Sequence, residues 1–308
     1  MEVEHRMSDP LILLKNVERL GETYRDKYLT TWDSDKLNSD WWEALKFFFN
    51  HSFPRGRRDT LSNEYYCFTI DRLQKDILKT ENPDDEAYRT LQQHLPDFDS
   101  HIVSEFKKRH QLGKTTAMNY KPWFSEEVAN QHPIIRLLTS PKQVEVKWES
   151  EQPYSKEVRL GNDEDVMMVL DTLKFICDER RRNIYSYIKH VIQEQGIRAI
   201  YRELDDLHGV GDKIASLVIR DIGLLNPGLI QGDYEYAFPV DTWVGTVTKK
   251  IRCTAEDGKG IKQYFIQRCK EESLDPPLVA AGLWHLGSHS LDILLDNYLG
   301  KYELPKRV

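Results

Sequence analysis

The chain has 308 residues, enough for one large or two modest cores. Its 40% hydrophobic and 30% charged residues exclude an intrinsically disordered polymer. A net charge of −7 excludes a protein that coats nucleic acid by charge alone, though not an enzyme with one positive docking face.

No apolar run approaches the length of a membrane-spanning helix, and the opening MEVEHRMSDP lacks a basic-then-apolar secretory pattern. An intracellular protein that does not engage a membrane is expected, in the cytoplasm or nucleoid, or in a nucleus if eukaryotic. Cys67, Cys177, Cys253 and Cys269 are scattered, with no CxxC pair. That spacing suits neither a zinc module, a disulfide framework nor an iron–sulfur loop, so buried thiols and no metal or cofactor are expected.

Three regions follow in chain order. Residues 1–140 are expected to be mostly helical. Residues 40–53 are dense in aromatics (Trp41, Trp42, Phe47, Phe48, Phe49, Phe53), and 63–78 continue with core spacing. The polar stretch 81–86, with Asn82-Pro83, predicts a loop. Residues 141–162 change period: Val144, Val146 and Trp148 alternate with charged residues, and Val158 and Leu160 suit a returning strand after Pro153. Residues 163–308 are helical again, with amphipathic runs over 163–179 and 189–207 and a following hairpin. The fold class is therefore mainly α, with a small β excursion near 142–160.

Residues 204–221 read LDDLHGVGDKIASLVIRD. A helix runs into Leu207, the chain turns through His208-Gly209-Val210-Gly211, and a second helix is expected near Asp212. The two glycines permit positive φ and leave backbone amides uncovered at a helix start, where anions such as phosphate bind well. Ile214, Leu217, Val218 and Ile222 fall on one face of that helix. Lys213, Ser216 and Arg220 fall on another, expected to be free to meet a substrate.

This hairpin, with the later Phe238-Pro239-Val240-Asp241-Thr242-Trp243-Val244, resembles the helix-hairpin-helix superfamily of DNA glycosylases. In that superfamily a Leu-Pro-Gly-Val-Gly hairpin precedes a loop ending in an essential aspartate. Gly209, Val210, Gly211, Pro239, Val240 and Asp241 match as they stand. Lys213 occupies the Schiff-base position of the bifunctional 8-oxoguanine DNA glycosylase branch, and Ala280-Ala281-Gly282-Leu283-Trp284 is similar to the helix that closes the fold. The resemblance spans roughly residues 170–300 and implies a two-lobed fold with a cleft between lobes. His208 departs from the usual proline, and residues 226–236 resemble an insertion. The missing cysteine cluster removes the iron–sulfur branch.

Breaking an N-glycosidic bond develops positive charge on the deoxyribose, which a nearby carboxylate stabilises. Asp241 is the candidate, and as the start of a helix it is equally a plain N-cap. An amine held deprotonated can attack the sugar carbon as a Schiff-base nucleophile and permit strand cleavage. Lys213 is that candidate, against the ordinary fate of a solvent-facing lysine. The resemblance implies backbone binding by His208, Gly209, Val210 and Gly211. A flipped base leaves a gap to be filled; Asn50, His51 and Phe53 are the wedge candidates, with Arg55, Arg57 and Arg58 on phosphates. Arg180, Arg181 and Arg182 could add a contact but read better as a charged helix end. Trp243, Trp284 and Phe175 are candidate base-pocket planes, each equally suited to a core. His285 and His289 stand at i, i+4 without the glutamate of HExxH, since Leu286 occupies that position, and read as ordinary helix residues.

The expected activity is excision of a damaged or modified base, 8-oxoguanine favoured, from double-stranded DNA by a monomer, with associated lyase activity at abasic sites. Two alternatives stand beside it: a noncatalytic DNA-binding scaffold, and a monofunctional glycosylase that uses Asp241 alone.

Overall fold

The computed structural model describes residues 10–54, 59–94, 132–147, 152–251, 255 and 257–290. Arg55, Arg57, Arg58, Trp148 and Cys253 lie outside the described residues.

The described chain is mainly helical. α1 (Pro10–Tyr24) runs into a π-helical turn, Arg25–Leu29, followed by α2 (Ser34–Ser39), α3 (Trp41–Ser52) and α4 (Asp59–Asp71). A second π-helical segment, Arg72–Leu78, precedes α5 (Asp85–His94) and α6 (Pro133–Thr139). β1 (Lys142–Val146) and β2 (Tyr154–Val158) form an antiparallel pair in which Val144 faces Lys156. Then come α7 (Asp163–Ile176), α8 (Ile184–Gln195), α9 (Ile197–Asp205), α10 (Gly211–Leu225), α11 (Thr242–Lys250), α12 (Gly258–Glu272) and α13 (Pro276–Ser288). The β excursion falls where the period-two pattern places it.

One expectation needs correction. The amphipathic run 189–207 is two helices, because Gly196 adopts φ +86°, a left-handed conformation that ends α8. The hydrophobic spacing continues across the break and so conceals it.

The chain divides into two compact units that interleave in sequence. The first comprises Met1–Asp33, Ile192–Tyr201 and Asp212–Val308; the second comprises Ser34–Val191 and Arg202–Gly211.

In the second unit the aromatic run of α3 supplies Phe47, Phe48 and Phe49, all buried, and Asp40 caps the helix by accepting from the Trp42 and Glu43 amides. α7 is buried along most of its length, from Asp165 through Leu173, as befits a central helix. The β-pair is tied to the α4 region by polar contacts: Lys156 to Glu64 at 2.6 Å, and Lys142 to Asp71 and Asp76 at 2.8 and 2.9 Å.

In the first unit, α1 and α13 pack backbone against backbone. A Cβ on Gly282 would collide with the Val17 carbonyl, and one on Gly21 with the carbonyl of Leu278. Phe238, Val244, Val247, Phe265, Val279 and Leu283 build the adjoining core, where the Phe238 and Phe265 rings stack at 6.0 Å. Beside it, the Tyr24 hydroxyl donates to Asp221 Oδ2 at 2.7 Å, and Arg220 Nε donates to Asp221 Oδ1 at 2.7 Å. The Arg220 guanidinium also lies over the Tyr24 ring at 4.8 Å. All three side chains are buried. Burial and the Asp221 carboxylate hold the Tyr24 phenol well above its ordinary range, so it remains a donor.

Gly282→Ala decides whether the α1–α13 approach matters. Helix propensity alone would stabilise the variant by about 1 kcal/mol. The backbone collision is expected to win and destabilise by about 1–3 kcal/mol, read as a lower urea midpoint. A raised midpoint would contradict the packing described.

Candidate active site

The hairpin has the conformation its glycines allow. Gly209 sits at φ +76° and Gly211 at φ +47°, both in the left-handed region. The Val210 N–H donates to Leu207 O at 3.1 Å, closing the turn, and Val210 itself is buried. The His208 N–H donates to the Asp171 carboxylate at 2.8 Å, which fastens the turn to α7. Two hairpin amides are thus consumed in building the turn. The amides of the first turn of α10, as at any helix start, have no acceptor within the helix.

Lys213 lies in the first turn of α10 and is half-buried. Its neighbour Asp212 is held by the Tyr201 hydroxyl at 2.8 Å and by Lys262 Nζ at 2.8 Å. Tyr201 in turn packs on Tyr236, with ring centroids 4.7 Å apart. Tyr236 belongs to the 3-10 turn Tyr234–Ala237, so the segment resembling an insertion contributes a wall to this helix start. Ser216 and Arg220, expected on a free polar face, are fully buried. Arg220 turns inward because Asp221 and Tyr24 supply the ion pair and stacking surface that solvent would otherwise replace.

Asp241 is the N-cap of α11, its carboxylate accepting from the Val244 N–H at 2.9 Å. The side chain is half-buried, and Trp243 beside it is 44% exposed. Trp243 rests on α13: a Cβ on Gly287 would stand 2.9 Å from Trp243 Cβ and 3.1 Å from its carbonyl oxygen. Trp284 is partly buried and meets Tyr24 edge-on at 5.4 Å and Tyr28 at 6.3 Å. Lys213, Asp241, Trp243 and Trp284 therefore all belong to the first unit.

The remaining candidates belong to the second unit. Phe175 is buried under Arg181, whose guanidinium stacks over it at 4.5 Å and reaches Glu203 at 3.4 Å. Arg182 pairs with Asp85, whereas Arg180 is exposed. His51 is buried against Phe47 at 4.2 Å and bonded to the Phe47 carbonyl at 2.7 Å, and Phe53 is buried. Asn50 alone of the three wedge candidates is exposed. An open groove of about 1100 Å³ lies in the same unit and is lined by Trp41, Lys46, Asp85, Arg182 and His190 among others. Two of its lining cations are paired, Lys46 with Glu43 and Arg182 with Asp85.

Burial pushes the Cys177 and Cys269 thiols up to about 12, so they stay protonated at neutral pH. Among the described residues, no three His, Cys, Asp or Glu side chains gather as a metal site, and no helix is long and apolar enough to cross a membrane.

Sequence reasoning passed over Tyr24 and Tyr28, which meet Trp284 from far along the chain, and read His289, which also packs on Trp284, as an ordinary helix residue. The available signal was a mid-helix glycine in each partner, Gly21 and Gly282. Comparison with family models, with curated proteins and with solved structures returned no match.

The cap makes Asp241 separable from its chemistry. Asp241→Ala is expected to cost about 1 kcal/mol of stability, and Asp241→Asn almost none, because asparagine caps as well as aspartate. Chemical denaturation of the two variants checks this; equal losses would mean the carboxylate is held for another reason.

Proposed function

We propose that the chain is a DNA glycosylase with lyase activity, which extrudes a damaged or modified base from duplex DNA and removes it. The observation that carries this reading is the pairing of roles within one unit. Asp241 stands at a helix start beside an exposed tryptophan, and Lys213 stands in the first turn of the helix that follows the glycine hairpin. The resemblance of both segments to the helix-hairpin-helix superfamily supports it as well.

In this reading the Asp241 carboxylate stabilises the positive charge that grows on the sugar as the C1′–N bond breaks. The Lys213 amine attacks C1′ as the C1′–N bonding pair leaves with the base, which takes up a proton. The amine loses its proton and the C1′–O4′ bond opens with O4′ protonated; the resulting iminium lets a C2′ proton depart and the 3′ phosphate leave with its C–O bonding pair. Glycine amides of the hairpin meet a backbone phosphate, which positions the strand without reading its sequence. Asn50, exposed on the second unit, is the wedge candidate left accessible for a gap in the duplex. The favoured substrate is 8-oxoguanine, on the strength of the Lys213 position.

Borohydride trapping on duplexes carrying 8-oxoguanine or an abasic site tests this. The wild type is expected to give a covalent adduct that Lys213→Gln abolishes. Base release without trapping would assign a monofunctional enzyme, and binding with neither would leave a DNA-binding protein alone.

Asp241→Asn, stable by the capping argument, is expected to lower base release by about a hundredfold or more. Near-normal release by that variant in single-turnover assays would remove Asp241 from the chemistry.

A further inference from the structure

The turn that carries Lys213 has little of its own to hold it. Gly211 adopts φ +47°, and a Cβ there would meet nothing. Asp212 is exposed, and Ile214 is the first side chain of α10 to be buried. The amides of this turn have no acceptor within the helix, and the glycine before them gives the backbone a wide choice of conformations. Helix ends of this kind fray.

One side chain opposes that fraying. Asp212 Oδ1 accepts from the Tyr201 hydroxyl at 2.8 Å and from Lys262 Nζ at 2.8 Å, with Ser216 Oγ at 3.5 Å. Helices α9, α10 and α12 therefore meet on a single carboxylate oxygen. The Lys262 side chain is only 11% exposed, whereas that of Asp212 is 56% exposed. An ion pair with one partner so open to solvent adds little to global stability. Its effect is local, at the residue next to Lys213.

The donors are backed in turn by the segment that resembles an insertion. The Tyr236 ring packs on Tyr201 with centroids 4.7 Å apart. Toward the other end of α10 a Cβ on Gly223 would collide with the Ile230 side chain. Residues 226–236 thus touch α10 near its end and reach its start through Tyr201. All of these residues belong to the first unit.

We propose that Asp212 is a positioning residue for Lys213, held by a brace of Tyr201, Lys262 and Tyr236, so that the insertion serves to place the nucleophile. This inference rests on the glycosylase reading of Lys213. A displacement of about 1 Å at a reacting group can cost on the order of a hundredfold in rate. The brace therefore acts on the rate of Schiff-base formation and leaves the affinity for DNA as it is.

Asp212→Asn and Asp212→Ala provide the test, because they remove the same charge and only the carboxamide keeps an acceptor for Tyr201 and Lys262. Hydrogen exchange of the full chain is read by mass spectrometry in the peptide that opens α10. It is expected to be about tenfold faster in Asp212→Ala than in the wild type and nearly unchanged in Asp212→Asn. Equal exchange in the two variants overturns the brace whatever the enzyme does.

Borohydride trapping on an abasic duplex is then timed at saturating enzyme. Asp212→Ala is expected to be slower by about tenfold or more, and Asp212→Asn to stay near the wild-type rate. Both variants are expected to bind a duplex carrying a tetrahydrofuran abasic analogue equally well. A wild type that traps, beside an Asp212→Ala that traps as fast, overturns the inference alone, as does a loss confined to affinity. A wild type that traps no abasic duplex and releases no 8-oxoguanine overturns the glycosylase reading, and the inference with it. If Asp212→Ala folds poorly, Tyr201→Phe removes one donor while keeping the ring on Tyr236; slower trapping supports the brace, and an unchanged rate overturns it.

Discussion

The first unit depends on the contact of two helix backbones, α1 and α13, at Gly21 and Gly282. No side chain fits between them, so the helices approach until carbonyls meet the space a Cβ would take. That distance brings Tyr24 and Tyr28 from the start of the chain against Trp284, His285 and His289 near its end. The second glycine of α13, Gly287, does the same for α11 and seats Trp243. One helix with two small-residue contacts thus places the aromatic cluster and the Asp241 cap at one end of α13.

Electrostatics reinforces this arrangement. The two Nη atoms of Arg220 are buried with the Tyr24 ring face as their neighbour and no hydrogen-bond acceptor among the described residues. In the buried Arg220–Asp221 pair the charges meet through Nε, and the Tyr24 hydroxyl takes the second carboxylate oxygen. A hydrogen bond to a charged group of this kind contributes about 1.5–3 kcal/mol. It also fixes α1 to α10, the helix that carries Lys213. One turn further on, the His289 ring lies within hydrogen-bonding distance of the Tyr28 hydroxyl at 2.8 Å and of Ser288 Oγ at 2.7 Å.

Features with a local cause were legible in the sequence. The β-pair follows from alternation over a few residues, the hairpin from two glycines, and the Asp241 cap from a proline and a valine just before a helical run. The break at Gly196 was hidden because amphipathic spacing runs through it, and only a positive φ betrays it. Arg220 was misplaced for a different reason. Helical geometry assigns a face, but whether that face meets water depends on Tyr24, nearly two hundred residues away. The Tyr28–His289 hydrogen bond lies wholly beyond local reading, since its partners are 261 residues apart.

The central claim is that one particular amine of this protein becomes covalently joined to an abasic sugar. Peptide mapping by mass spectrometry, after borohydride reduction of the full chain with an abasic duplex, locates that bond directly. The account predicts a reduced sugar adduct on Lys213, within the peptide that opens α10. An adduct confined to the N-terminal amine or to another lysine, with Lys213 unmodified, would contradict it.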